Sequence, residues 1–167
     1  MAIPSRHVSS PGTYFVSSRT WENRAIFHTA PPCEVFIASL LGYRDAGGFQ
    51  LHAFVIMPDH IHVLLTPSDE TTLERSVQFI KGGSAKRIRD QLLFRFPVWQ
   101  RGFSDHRVRD AADYSAHYAY LLENPVKAGL VIAAGDYKWS SASGNYRMDE
   151  VPQGLKPLAR VATIRHG

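Results

Sequence analysis

Phe49-Gln-Leu-His-Ala-Phe-Val-Ile-Met57, then Pro58-Asp59, then His60-Ile-His-Val-Leu-Leu-Thr66, is the stretch on which the fold turns. Both runs are dense in β-branched and aromatic residues and read as strands. Between them stand only Pro58 and Asp59. Pro presets φ, and Asp can bond its own backbone, so the pair is turn chemistry. Two strands joined so briefly make an antiparallel hairpin.

Outward from the hairpin, residues 32–44 (PCEVFIASLLGYR) carry Val35, Phe36, Leu40 and Tyr43 at helical spacing, with Pro32 suited to a helix start. Residues 12–20 read as an earlier strand. Downstream, residues 70–92 read as a basic amphipathic helix with Leu73, Val77, Ile80 and Ile88 as its apolar stripe. Gly82-Gly83 is expected to kink or split it. Residues 97–103 (PVWQRGF) read as a strand, and 110–123 as a helix with acids in its first turn. The order is β-α-β-β-α-β-α. Its first six elements predict a ferredoxin-like α+β fold, an antiparallel sheet with helices packed on it. One catalytic domain is expected over 1–146, followed by a Pro- and charge-rich extension, 147–167, expected to be irregular.

The chain has 167 residues, 44% apolar and 20% charged, a globular balance that argues against disorder. One cysteine, Cys33, rules out an internal disulfide. No stretch is long and apolar enough to span a bilayer, and no secretory h-region opens the chain, so a cytoplasmic, nucleoid-associated location and no membrane partner are expected. The net charge is +4, yet residues 71–110 hold nine Lys/Arg against four acids. Concentrated positive charge fits a polyanion partner; a solvated helix face fits it equally.

His60-Ile61-His62 is the sharpest chemical feature. Alternation along a strand puts both imidazoles on one face, roughly 7 Å apart by backbone rise. Two such rings can share a divalent cation if a third ligand arrives from elsewhere, although a ligand-free surface pair fits the spacing too. His52, on the preceding strand, is expected to support or pack rather than ligate.

The helix after the last strand carries Tyr114, Tyr118 and Tyr120. Tyrosine can act as a covalent nucleophile, but its ordinary pKa of about 10 calls for activation. If the helix reaches Asn124, Tyr120 and Asn124 share a face, and the Asn carbonyl suits a hard cation such as Mg²⁺ or Mn²⁺. Packing of all three tyrosines is the ordinary alternative.

Phe54-Val-Ile-Met-Pro-Asp-His-Ile-His-Val-Leu-Leu65 resembles the His-hydrophobe-His segment of the IS200-like transposases. Tyr120-Leu-Leu-Glu-Asn-Pro-Val-Lys-Ala-Gly-Leu130 resembles the tyrosine segment of their REP-associated relatives. Tyr14–Thr20, Phe79–Ser84, Val98–Phe103 and Trp139–Ser141 resemble further family segments in family order, so the likeness runs over roughly residues 12–143. It implies a metal-dependent single-stranded DNA endonuclease and transposase that cuts and rejoins strands near hairpins through a 5′-phosphotyrosine. Carried over, His60 and His62 become metal ligands, Asn124 the expected third, and Tyr120 the nucleophile, with Mg²⁺ or Mn²⁺ as cofactor. Tyr114 and Tyr118 miss the motif position and are assigned to packing.

Single-stranded or hairpin DNA is the expected partner. Lys81, Lys86, Arg87, Arg89, Arg101 and Arg107 are the expected phosphate contacts. Trp99 or Phe103 could stack on bases, with packing the more ordinary fate of both. The alternative reading is a domesticated hairpin-DNA-binding protein that no longer cuts. A water-using metal phosphodiesterase and an RNA substrate also stay open. The resemblance admits both a monomer and a homodimer that exchanges tyrosine helices.

Overall fold

The computed structural model describes residues 8–157. Four strands, β1 (Tyr14–Arg19), β2 (Phe49–Met57), β3 (His60–Pro67) and β4 (Ser104–Arg107), form one sheet in the order β2-β3-β1-β4. Every pairing is antiparallel. Three helices accompany it: α1 (Ala30–Asp45), α2 (Leu73–Leu92) and α3 (Ala111–Lys127). The α+β, ferredoxin-like arrangement expected from the sequence is the one present.

Strand alternation divides the core in two. On one face Tyr14, Val16, Phe54, Ile56, Ile61, Val63 and Leu65 pack with Phe36, Leu40, Val77, Ile80 and Ile88 of α1 and α2. On the other, Ala53, Val55, Met57 and Leu64 pack with Tyr114 and Leu121 of α3. Being covered on both sides, β2 is buried at every position except Gln50. A register shift between Leu51 and Ala53 breaks its pairing with β3. His52 lies there, its Nε2 2.8 Å from Thr66 Oγ1. It is therefore a packing residue, away from the His60–His62 pair.

The helices start where their caps dictate. Pro31 and Pro32 occupy the first turn of α1, where an amide donor is dispensable. Thr72 Oγ1 accepts from the Arg75 amide (3.1 Å) and the Asp110 carboxylate from the Asp113 amide (2.8 Å).

Three expectations are corrected. Gly82-Gly83 neither kinks nor splits α2, which runs unbroken. A Cβ at Gly83 would strike the Tyr43 hydroxyl, so glycine there lets α1 and α2 approach closely. The last strand is Ser104–Arg107, not 97–103. In the earlier stretch Val98 is buried and Trp99 makes a lone bridge to Thr20. Trp99 packs on Phe27 and Phe36 and donates to Ser84 Oγ, so its ring is core. Finally, α3 continues through Pro125 to Lys127, beyond the expected end at 123.

Within the expected extension, Gln153–Leu155 is a short 3₁₀ turn, and Val151 and Leu155 pack against the α3-side core; residues 158–167 lie outside the described residues. The Trp139–Ser141 segment closes the outer edge of β2: Ile56 donates to the Trp139 carbonyl (2.9 Å), and Ser140 bridges Val55. No helix among the described residues is long and apolar enough to cross a membrane.

Candidate active site on the α3 face of the sheet

His60 and His62 emerge from β3 on the face that α3 covers, their ring centroids 4.9 Å apart. The intervening Ile61 is buried in the opposite core, as period two requires. The Asp59 carboxylate lies 2.6 Å from His60 Nδ1, so that ring's Nε2 is on the side away from this contact. Across the strand pair, Ser17 Oγ lies 2.6 Å from His62 Nδ1. His62 Nε2 is buried with no hydrogen-bond partner. Burial, then the neighbouring His60 and Arg19, pushes the His62 imidazole down to about 3, so it is neutral at physiological pH.

Tyr120 stands over this pair. Its ring meets His62 edge-on at 5.6 Å and Phe15 at 6.0 Å. Phe15 in turn stacks on His62 at 5.1 Å. The Lys127 ammonium sits 5.5 Å from the Tyr120 ring centroid. Tyr120 is 46% exposed, so a substrate can reach it, whereas Tyr114 is buried and Tyr118 stacks upon Tyr114. Because α3 is helical at Asn124, Tyr120 and Asn124 lie one turn apart on a common face. The tyrosine and the histidine pair belong to the same chain.

An open cleft of about 500 Å³ runs from His62 along Ser17 and Arg19 to Arg101, Phe103 and Ser104. Arg101 is the one member of the expected phosphate-binding set that lines it. Lys81 donates to the Gln100 and Gly102 carbonyls and so holds the loop that carries Arg101. Burial lowers its pKa, in keeping with this tethered position. Lys86, Arg87 and Arg89 sit on α2, across the sheet from the histidine pair; Lys86 pairs with Asp90 (2.5 Å). Arg107 is in register with Tyr14 and donates to the Pro11 carbonyl (2.9 Å).

The sequence reasoning passed over several residues here. Phe15, Ser17 and Arg19 reach the site by the same period-two rule that placed the histidines, and Arg19 pairs in register with His60. Lys127 follows Tyr120 by seven residues on the helix. His106, Asp113 and His117 gather beside the site from β4 and α3.

The geometry has relatives. A family model described as "Transposase IS200 like" matches residues 19–124. An Escherichia coli REP-associated tyrosine transposase is 26% identical over 157 residues, 87% of this chain and 86% of the relative. A Haemophilus influenzae protein provisionally given the same name is 28% identical over 115 residues, 63% of this chain and 65% of the relative. The matched stretch thus spans a little under two thirds of the Haemophilus protein. Among solved structures, a REP-associated tyrosine transposase bound to a REP hairpin superposes with a TM-score of 0.67 at 23% identity, covering 95% of this chain and 96% of the other. A Deinococcus radiodurans protein provisionally named a transposase gives 0.53 at 19% identity, over 74% and 97%.

Proposed function

Because the chain belongs to the IS200-like transposase family, we propose that it cuts and rejoins single-stranded DNA beside hairpins, with Tyr120 as nucleophile. The observation that carries this reading is the juxtaposition of an exposed Tyr120 with the His60–His62 pair inside one chain. A hairpin-bound relative of the same fold supports the choice of substrate.

The donor set fits a divalent cation. His62 is neutral, with a buried and unpartnered Nε2, and His60 presents its Nε2 while Asp59 holds Nδ1. Asn124, a turn beyond Tyr120, would supply an oxygen. Mg²⁺ or Mn²⁺ held by these three residues would supply Lewis-acid stabilisation of charge developing on the scissile phosphate.

In the proposed reaction the Tyr120 oxygen attacks phosphorus in line. One bond forms between that oxygen and phosphorus while the bond from phosphorus to the 3′-oxygen breaks. The phenolic proton ends, directly or by relay, on the departing 3′-oxygen. The products are a 5′-phosphotyrosine and a free 3′-hydroxyl. The link conserves the phosphodiester, so attack by another 3′-hydroxyl rejoins a strand without ATP. Phe15 keeps Tyr120 and His62 in one packed unit, Arg19 and Arg101 bring positive charge to the cleft, and Lys127 brings it to the tyrosine.

The test is incubation of the full chain with labelled single-stranded hairpin oligonucleotides from the flanks of its own gene, with Mn²⁺ or Mg²⁺, followed by a denaturing protein gel. A labelled adduct that disappears in Tyr120→Phe, in His60→Ala and with EDTA is the expected result. Cleavage without an adduct would overturn the nucleophile and favour water. Binding with neither would favour a hairpin-DNA-binding protein without chemistry.

A further inference from the structure

Beside the candidate active site, on the far side of Phe15, His106, Asp113 and His117 converge. Asp113 Oδ2 lies 2.8 Å from His106 Nε2, and Asp113 Oδ1 lies 3.1 Å from His117 Nδ1. All three ligand atoms fall within 4.8 Å of one another, the one such grouping of three or more His, Cys, Asp or Glu among the described residues. We propose that His106, Asp113 and His117 form a second divalent-cation site, separate from the His60–His62 pair, for a metal that favours nitrogen ligands, Zn²⁺ above all.

The ligand set argues for that metal class. Two imidazoles and one carboxylate leave room for a water in a tetrahedral shell, the usual composition of an open zinc site. Mg²⁺ prefers an all-oxygen shell and would be a poor occupant. Asp113 faces both rings, one carboxylate oxygen meeting each imidazole. Its other contacts are compatible. The Arg109 amide (2.9 Å) donates to Oδ2, leaving Oδ1 for a cation, and the Arg109 side chain, 3.6 Å away and 77% exposed, can swing clear. His117 Nδ1 also lies 2.9 Å from the Asp113 carbonyl, which can only accept, so ligation through that nitrogen requires the ring to give up this hydrogen bond.

The imidazoles lie face to face, 4.4 Å between centroids and 15° apart. Their in-plane lone pairs therefore do not meet at one point, and binding turns one ring out of the stack. Both are accessible enough for this, His106 at 37% and His117 at 26% exposure. The site would tie the edge strand β4 to the first turns of α3, the helix that carries Tyr120. His117 touches Phe15 at 5.0 Å, so the second cation would brace the support of Tyr120 and His62 without touching either.

The inference does not depend on the reading of the His60–His62 pair, and one titration separates the two. Metal-free full-length protein is titrated calorimetrically with Zn²⁺, alongside His106→Gln/His117→Gln and His60→Ala/His62→Ala. Asp113 stays intact because it serves the start of α3. Two Zn²⁺ per wild-type chain are expected, with one lost in each double variant. Unchanged uptake in a folded His106→Gln/His117→Gln protein would overturn the proposal. Unchanged uptake in His60→Ala/His62→Ala, with one Zn²⁺ lost in the Gln pair, would support the second site and show that the His60–His62 pair takes up no Zn²⁺. Should the Gln pair fail to fold, imidazole ¹⁵N spectra of the wild type decide: Zn²⁺ shifts the His106 and His117 ring nitrogens, and their silence through saturation refutes the site.

Discussion

Ser17 Oγ lies 2.6 Å from Nδ1 of His62, directly across the β1–β3 pairing. That hydroxyl fixes how the buried ring presents its unpartnered Nε2. With His62 as the proposed metal ligand, such a partner is expected to contribute about 10–100-fold to metal affinity.

Ser17→Ala is therefore expected to raise the Mn²⁺ concentration that half-saturates cleavage by about tenfold, leaving the rate at saturating Mn²⁺ nearly unchanged. A Mn²⁺ titration of cleavage checks this. An unchanged midpoint would separate Ser17 from metal binding.

Phe15 touches His62, His117 and Tyr120 at once. Phe15→Leu conserves most of the volume and is expected to cost less than about 1.5 kcal/mol of stability. On the proposed mechanism adduct formation should slow by up to about 100-fold, because Tyr120 loses its bearing surface. Single-turnover rates beside a denaturant melt separate these effects; a stability loss with no rate change would make Phe15 mere packing.

Arg101 lines the cleft and Arg89 lies on the helix across the sheet. Arg101→Ala should weaken single-strand binding and lower the slope of log K against log salt by about 1, whereas Arg89→Ala should leave binding at the cleavage site intact. Fluorescence anisotropy over a salt series distinguishes them, and equal effects would place the strand elsewhere.

Gly82 and Gly83 are adjacent in α2 yet should respond oppositely. Nothing lies within 4 Å of a Cβ at Gly82, so Gly82→Ala should stabilise by about 0.5–1 kcal/mol through helix propensity. At Gly83 the added carbon strikes the Tyr43 hydroxyl, with ring carbons 2.8 Å away, so Gly83→Ala should destabilise by about 1–3 kcal/mol. Thermal melts of the two variants should move in opposite directions, by about 2–4 °C per kcal/mol. Two upward shifts would mean that Tyr43 simply steps aside.

The Asp113 carboxyl, at about 2 in the fold against 3.8 ordinarily, makes stability acid-sensitive. A lowered folded pKa gives stabilisation that is present above the ordinary value and lost as pH falls through the folded one. The melting advantage of wild type over Asp113→Asn should be full above pH 4 and shrink between about 4 and 2. A difference constant across that window would show the carboxylate to be replaceable by an amide.

The hairpin was legible because β2 and β3 carry long apolar runs on either side of an unmistakable turn, and the facing of His60 and His62 followed from alternation alone. β4 was not, because Ser104-Asp-His-Arg is a polar edge strand with no apolar face to betray it. The buried Val98 and Trp99 imitated a strand instead. The end of α3 was obscured by Pro125, which forgoes one backbone bond yet is buried, the chain running on to a Gly129 at φ 74. The basic stretch announced its charge but not its side of the sheet, so Lys86, Arg87 and Arg89 joined Arg101 in one expected set. Asp113 and His117 are four apart and share a face of α3, a spacing legible in the sequence, but His106 comes from β4 and only folding brings it to them.

The two margins of the sheet differ in what they offer a second molecule. Along β2, Trp139, Ser140 and Asp149 already occupy backbone groups of Ile56, Val55 and Leu51. β4 presents only four residues, polar and largely exposed. One margin is sealed and the other is short and hydrophilic, a pattern that discourages strand-by-strand polymerisation. The surfaces this leaves most open to a second copy are the side chains of helices and loops, and the histidine strand, flanked by β1 and β2, keeps its backbone bonds within the sheet.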